Sequence, residues 1–158
     1  MTQELGPESR TLVIGIGNPG RQDDGLGPRL VELLEAAGLE GVALDSNYQL
    51  NIEDALACSK LETVIFADAS ESAEAPFAFG ELEPSRDISF TTHELSPAAV
   101  LALCEELYGR RPMAWTLAMR GYAWDIGEGL SPQAEVNLSA ALAFMVARLK
   151  KGETSKTP

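Results

Sequence analysis

Residues 12–16 (LVIGI) and 63–67 (TVIFA) are short, largely apolar runs, rich in β-branched side chains and free of charged residues. A strand of that kind has to be covered on both faces, which is the condition of a central strand in a parallel sheet. The intervening sequence supplies the cover. Leu30, Val31, Leu33, Leu34 and Ala37 fall on one face of a helix that admits Pro28 in its first turn and stops at Gly38. Residues 41–45 read as a second strand. Asn51 then caps a helix to Ser59, with Glu53 and Asp54 against its positive end. Ser96 and Pro97 open a helix through Tyr108, with Leu95 and Val100 spaced as a hydrophobic staple and Gly109 as the stop. Residues 114–119 read as a fifth strand, and Ser131 with Pro132 repeats the cap before a last helix to about Leu149. Residues 76–83 alternate apolar and polar, as an edge strand or hairpin arm does. The order β-α-β-α-β-β-α-β-α predicts an α/β fold, a three-layer α/β/α sandwich around a twisted, mostly parallel five-stranded sheet. In such sheets the working groups gather beyond the carboxyl ends of the strands.

With 158 residues, 45% of them hydrophobic, the chain can bury one core. A polar segment 1–10, a single domain 11–149 and a tail 150–158, expected to be disordered, follow from that. The 24 acidic residues against 12 basic give a formal net charge of −12, which makes nucleic acid and anionic membranes poor partners. No apolar run approaches the ~18 residues of a membrane span. Cys58 and Cys104 form no CxxC, both fall in apolar helical stretches, and residues 1–10 do not resemble a secretory leader. Two core thiols in a reducing cytoplasm are expected.

The segment 11–27, TLVIGIGNPGRQDDGLG, invites a nucleotide reading and then opposes it. Gly15, Gly17 and Gly20 spell G-x-G-x-x-G after a strand, and Asp45 stands near the end of the second strand, as in a dinucleotide fingerprint. That fingerprint needs a helix N-terminus facing a pyrophosphate. Here Pro19 interrupts the turn, and Asp23 and Asp24 bring negative charge to the anion site. The string GIGNPG also resembles the opening of bacterial peptidyl-tRNA hydrolases. Their catalytic histidine lies in a following Thr-Arg-His-Asn segment, whereas this chain continues RQDDGLG, and its charge suits tRNA badly.

A third reading keeps the aspartates. Asp24 after the first strand, Asp68 after the third and His93, the chain's one histidine, before a helix can all reach one edge of the sheet. Two carboxylates and an imidazole form an incomplete ligand set for a divalent transition metal, with positions left for substrate or water. The same residue types also serve plainer ends: loop aspartates bond backbone amides, and a histidine before a helix is often structural.

The segments GIGNPGRQDDGLGPRLVELL, VIFADAS, THELSPAAVLAL and GEGLSPQAEV closely resemble, in order, the blocks of the hydrogenase maturation endopeptidases. The resemblance spans nearly the whole chain and implies one α/β/α catalytic domain. It implies a hydrolase that removes a short C-terminal extension from the large-subunit precursor of a nickel–iron hydrogenase once nickel is inserted. The family's metal-binding acid of the first block falls on Asp24, the aspartate of the second on Asp68 and the histidine of the third on His93. Nickel is then supplied by the substrate and bound transiently, with no permanent cofactor, in a cytoplasmic, monomeric enzyme. Many members carry Asp-Gly-Gly-Thr after the second strand, whereas this chain has Asp45-Ser46-Asn47-Tyr48-Gln49-Leu50. That loop borders the site, so the change concerns which large subunit is accepted. For the hydrolytic step the candidate general bases are Asp23 and Asp24. A non-enzymatic nickel-binding maturation chaperone is the alternative.

Overall fold

The computed structural model describes residues 9–85 and 95–150. Five strands form one sheet: β1 (Thr11–Ile16), β2 (Val42–Asn47), β3 (Thr63–Ser70), β4 (Phe77–Glu81) and β5 (Met113–Arg120). Their spatial order is β2-β1-β3-β5-β4, with four strands parallel and β4 antiparallel on one edge. Four helices cover it: α1 (Leu26–Ala37), α2 (Ile52–Ser59), α3 (Pro97–Tyr108) and α4 (Pro132–Lys150).

The alternation of side chains along β1 and β3 divides the core in two. Val13 and Ile65 point with Leu117 and Met119 toward Leu30 and Leu34 of α1 and Leu138, Ala141 and Met145 of α4. Leu12, Ile14, Val64 and Phe66 point the other way, toward Ala55 and Cys58 of α2 and Val100, Leu101 and Cys104 of α3. This is the three-layer sandwich that two doubly apolar strands require. Both thiols are free and buried, as expected of core cysteines. Among the described residues no helix is long and apolar enough to cross a membrane.

The caps follow their local rules. Asn51 accepts the Glu53 N–H at 3.0 Å, and Asp54 returns the favour by accepting the Asn51 N–H at 2.8 Å, a reciprocal capping box. Ser96 accepts the Ala99 N–H at 3.0 Å, and Leu95 packs against the cluster that contains Val100. Gly38 and Gly109 end α1 and α3 in the left-handed conformation. Within the expected 76–83 stretch, Phe77–Glu81 form the antiparallel edge strand. Its Phe79 ring stacks on Trp115 at 5.2 Å, and the Arg148 guanidinium of α4 lies over both rings.

Several boundaries differ from the sequence expectation, among them β2, which runs on to Asn47 rather than ending at residue 45. α1 starts at Leu26 rather than Pro28, because a 3-10 turn, Gln22–Gly25, leads directly into it. β3 continues to Ser70 because β5 is long enough to pair with it that far, matching Asp68 to Ala118 and Ser70 to Arg120. Asp68 therefore lies inside the strand. α4 includes Lys150, so only 151–158 of the expected tail lie outside the described residues.

Candidate functional site

β1 connects outward to β2 on one side, while β3 leads to the strands on the other, so the gap beyond the carboxyl ends of β1 and β3 is the topological switch point of the sheet. The pairing of β1 with β3 ends at Gly15 with Ala67, one residue before Asp68. Asp68 thus projects from β3 at the level where β1 is finishing. It is partly exposed, and its Oδ1 accepts the Ala69 N–H at 2.8 Å.

The glycine turn brings Asp24 to the same edge. Gly17 has φ of 141°, and a Cβ there would collide with the carbonyl oxygen of Asp24, so the backbone of the turn lies directly on that residue. Gly27, at the start of α1, fits against the carbonyl oxygens of both Ile16 and Ala67, where a Cβ would come within 2.5 and 2.6 Å. The helix therefore seats on the ends of β1 and β3 together. The 3-10 turn carrying Asp24 packs against β3 as well as α1. Asp24 is partly exposed, and its Oδ2 accepts the Asn18 N–H at 2.8 Å. Among the described residues no other hydrogen-bond donor reaches this carboxylate.

Asp23 occupies a different environment. It is fully buried, and four hydrogen bonds converge on it from the β5–α4 loop. Its Oδ1 accepts the Ser131 N–H at 2.7 Å, while its Oδ2 accepts the Tyr122 N–H at 2.7 Å, the Ala123 N–H at 3.0 Å and the Ser131 hydroxyl at 2.7 Å. Burial pushes this carboxyl up, but the hydrogen bonds from Ser131, Tyr122 and Ala123 outweigh it and hold the pKa below the usual Asp value. Both oxygens are engaged by donors inside the protein and the side chain is fully buried, so Asp23 joins two loops. The amide-bonding role of loop aspartates is the one it takes. Around it, Gln22 accepts the Asp125 N–H at 2.9 Å and donates its own N–H to the Gly127 carbonyl at 2.8 Å. Gly127 in turn donates to the Gly20 carbonyl at 2.8 Å. The turn before α1 and the loop before α4 are one hydrogen-bonded unit.

His93 lies outside the described residues, and among those described no group of three His, Cys, Asp or Glu residues is placed to hold a metal ion. Asp24 and Asp68 stand at one sheet edge, with α3 entering beside them. A pocket of about 230 Å³ opens there, walled by Ile16, Leu50, Leu95 and Pro97, with Asp68 on its lining and the exposed Gln49 and Ser96 at its mouth. This pocket has no local signature in the chain, because its walls come from β1, the β2–α2 loop and the start of α3. The partners of Asp23 were equally hidden, and the only local hint was the glycine-rich run ending in the Ser131–Pro132 cap.

No protein-family model and no curated protein sequence matches this chain. Its likeness to known proteins lies in the structure. The hydrogenase maturating endopeptidase HybD from E. coli superposes with a TM-score of 0.71 at 23% identity, over 91% of this chain and 94% of that one. The hydrogenase 2 maturation peptidase of a Thaumarchaeota archaeon gives 0.67 at 28% identity, over 89% and 98%. The [NiFe] hydrogenase maturation protease HycI from Thermococcus kodakarensis gives 0.70 at 20% identity, over 92% and 96%. The four sequence blocks and the whole-chain superposition point to the same group of proteins, and the chain has their α/β fold.

Proposed function

We propose that this protein is an endopeptidase that removes the C-terminal extension of a nickel–iron hydrogenase large-subunit precursor after nickel has been inserted. The observation that carries this reading is the delivery of Asp24 and Asp68 to the switch point of a fold shared along nearly its full length with hydrogenase maturation peptidases. In this reading His93, two residues along the sequence from the pocket-lining Leu95, completes the set. Two hard carboxylate oxygens and a softer imidazole nitrogen suit a borderline divalent ion held weakly. Weak holding is what a reader of another protein's nickel requires, since tight binding would strip the metal from its owner.

The nickel arrives with the substrate and fixes the orientation of the precursor's C-terminal peptide. Its charge also polarises a neighbouring carbonyl. Asp24, with one oxygen anchored by Asn18 and the other without a donor among the described residues, is the general base that takes the proton of the attacking water while the nickel is held by Asp68 and His93. Asp23 fixes the turn on which Asp24 rides.

The test is processing of a nickel-loaded precursor, followed by intact mass, with folded Asp24→Asn, Asp68→Asn and His93→Ala variants. Loss of cleavage by about a hundredfold or more in each is expected, since even residues that merely support metal ligands cost about 10–100-fold. Normal cleavage by both Asp68→Asn and His93→Ala would overturn the nickel-reading role. Binding of nickel and precursor by the wild-type protein with no change in precursor mass would identify a chaperone instead.

A further inference from the structure

We infer that the loop between β5 and α4 is the surface on which the folded precursor docks, with Ile126 as its anchor. The inference rests on the endopeptidase reading and names the contact that seats the substrate. Exposure is the first observation. Ile126 is 83% exposed, the most of any large apolar side chain among the described residues. Tyr122 in the same loop is 40% exposed, and Val136, next in sequence to the Asn137 that bonds the Tyr122 hydroxyl, is 68% exposed. Exposed apolar side chains on a mobile surface are ordinary. These are not on a mobile surface. The Asp125 N–H donates to the Gln22 side chain at 2.9 Å, and the Trp124 carbonyl accepts from the Arg21 guanidinium at 3.2 Å. Gly127 accepts the Gln22 N–H and donates to the Gly20 carbonyl, both at 2.8 Å, and forms a β-bridge with Arg21. The backbone is therefore tied down on both sides of Ile126, whose β-branched side chain is itself stiff. The Tyr122 ring is held as well, by the Asn137 amide on its hydroxyl at 3.2 Å and the Arg120 guanidinium 5.0 Å from its centre.

A partner that covers such a surface removes apolar area from water and has little ordering entropy to overcome, which is how a few fixed side chains come to dominate an interface. Position selects the occupant. The residues that pin Ile126 are Gly20, Arg21 and Gln22, which lead straight into the 3-10 turn that carries Asp24. A protein seated on the loop is thus held in register with that carboxylate, as a folded substrate with one bond to be cut must be. A second copy of this chain fits badly. In a twofold contact the surface meets itself, setting the exposed Asp125 and Glu128 of one copy against the same residues of the other, on proteins of net charge −12 each. The matching partner face is an apolar hollow rimmed by lysine or arginine.

The experiment measures kcat and KM for processing of a nickel-loaded large-subunit precursor from the same genome. Wild-type protein is compared with Ile126→Ala, Ile126→Glu and Leu107→Ser, the last an exposed apolar residue at the far end of α3. Ile126→Ala should raise KM about tenfold, and Ile126→Glu further, with kcat unchanged, because an anchor contributes binding common to ground and transition states. Leu107→Ser should match wild type. Thermal melting, and hydrogen exchange at the Tyr122 and Ala123 amides that Asp23 accepts, should be unchanged in both Ile126 variants. Wild-type KM in both Ile126 variants, or an equal rise in Leu107→Ser, would overturn the docking role while leaving the endopeptidase reading intact. A fall in kcat at constant KM, or faster exchange at those amides, would also overturn it, by showing that Ile126 acts through the turn. Light scattering of the protein alone should give the mass of one chain; a wild-type dimer that Ile126→Glu dissociates would assign the surface to a second copy and overturn the inference. Failure of the wild-type protein to cut any nickel-loaded precursor would overturn both readings.

Discussion

Asp23 gives the sharpest test of how the edge of the sheet is held. In Asp23→Asn the single remaining oxygen can take the place of Oδ2 and keep Tyr122, Ala123 and the Ser131 hydroxyl, but its NH2 group then faces the Ser131 N–H, donor against donor. Hydrogen bonds to a charged group contribute about 1.5–3 kcal/mol, and an orphaned buried donor costs about 1–3 kcal/mol, so about 3 kcal/mol should be lost. Asp23→Ala leaves three partly buried backbone N–H groups without their acceptor. After a discount for water entering the space, about 4 kcal/mol should be lost, against the roughly 5–15 kcal/mol that holds a domain together. For a chain of this size that lowers the melting temperature by roughly 8–16 °C.

The pH dependence has a definite sign. The folded pKa of Asp23 is depressed, so its contribution is fully present above the ordinary unfolded value of 3.8 and is lost as pH falls through the lower folded value. The stability gap between wild-type protein and Asp23→Asn should be constant from about pH 7 to about pH 5 and should close below about pH 4. Urea unfolding followed by circular dichroism across that range measures it, and hydrogen exchange at Tyr122, Ala123 and Ser131 reports the loop directly. Asp23→Ala within about 1 kcal/mol of wild type at neutral pH, with exchange at those amides unchanged, would refute the argument.

Two further expectations concern the turn and the core. Gly17→Ala adds a left-handed conformation that costs about 1–3 kcal/mol to a collision with the Asp24 carbonyl, so it should lower both the melting temperature and precursor processing; a variant that melts and cleaves like wild type would contradict the close approach. Burial, joined by the neighbouring Cys104 and Asp54, pushes the Cys58 thiol far up, and burial also raises Cys104. An aromatic disulfide reagent at mildly alkaline pH should therefore modify neither thiol in the folded protein and both in urea, and rapid labelling of the folded protein would show that one of the two helices opens.

What the sequence revealed and what it hid divide along the range of the interactions. The caps at Asn51 and Ser96, the stops at Gly38 and Gly109, and the apolar faces of α1 and α3 are decided within a turn or two of chain, and each was legible. The extension of β3 through Asp68 was not, because it depends on the length of β5, a strand with another helix in between. Asp23 and Asp24 are adjacent letters with unlike surroundings: one faces the amides of residues 122–131, the other the sheet edge. No local rule distinguishes them, since the loop that claims Asp23 lies about a hundred residues away. The pocket walls were hidden for the same reason. His93, legible as a candidate, lies outside the described residues.

The seating of Gly27 on Ile16 and Ala67 makes competence an all-or-none property of the chain. The pieces that bring Asp24 and Asp68 to the same end of the sheet are a turn early in the sequence, a strand beyond the second helix, and a loop near the last helix that locks the turn through Asp23. No contiguous fragment carries them together. A chain still being synthesised, with residues 121–131 not yet made, has Asp23 without its amides and the turn unlocked, so a peptide-cutting edge cannot be assembled ahead of the complete domain. On the proposed reading, a protease that waits for another protein's maturity is itself inert until its own folding is finished.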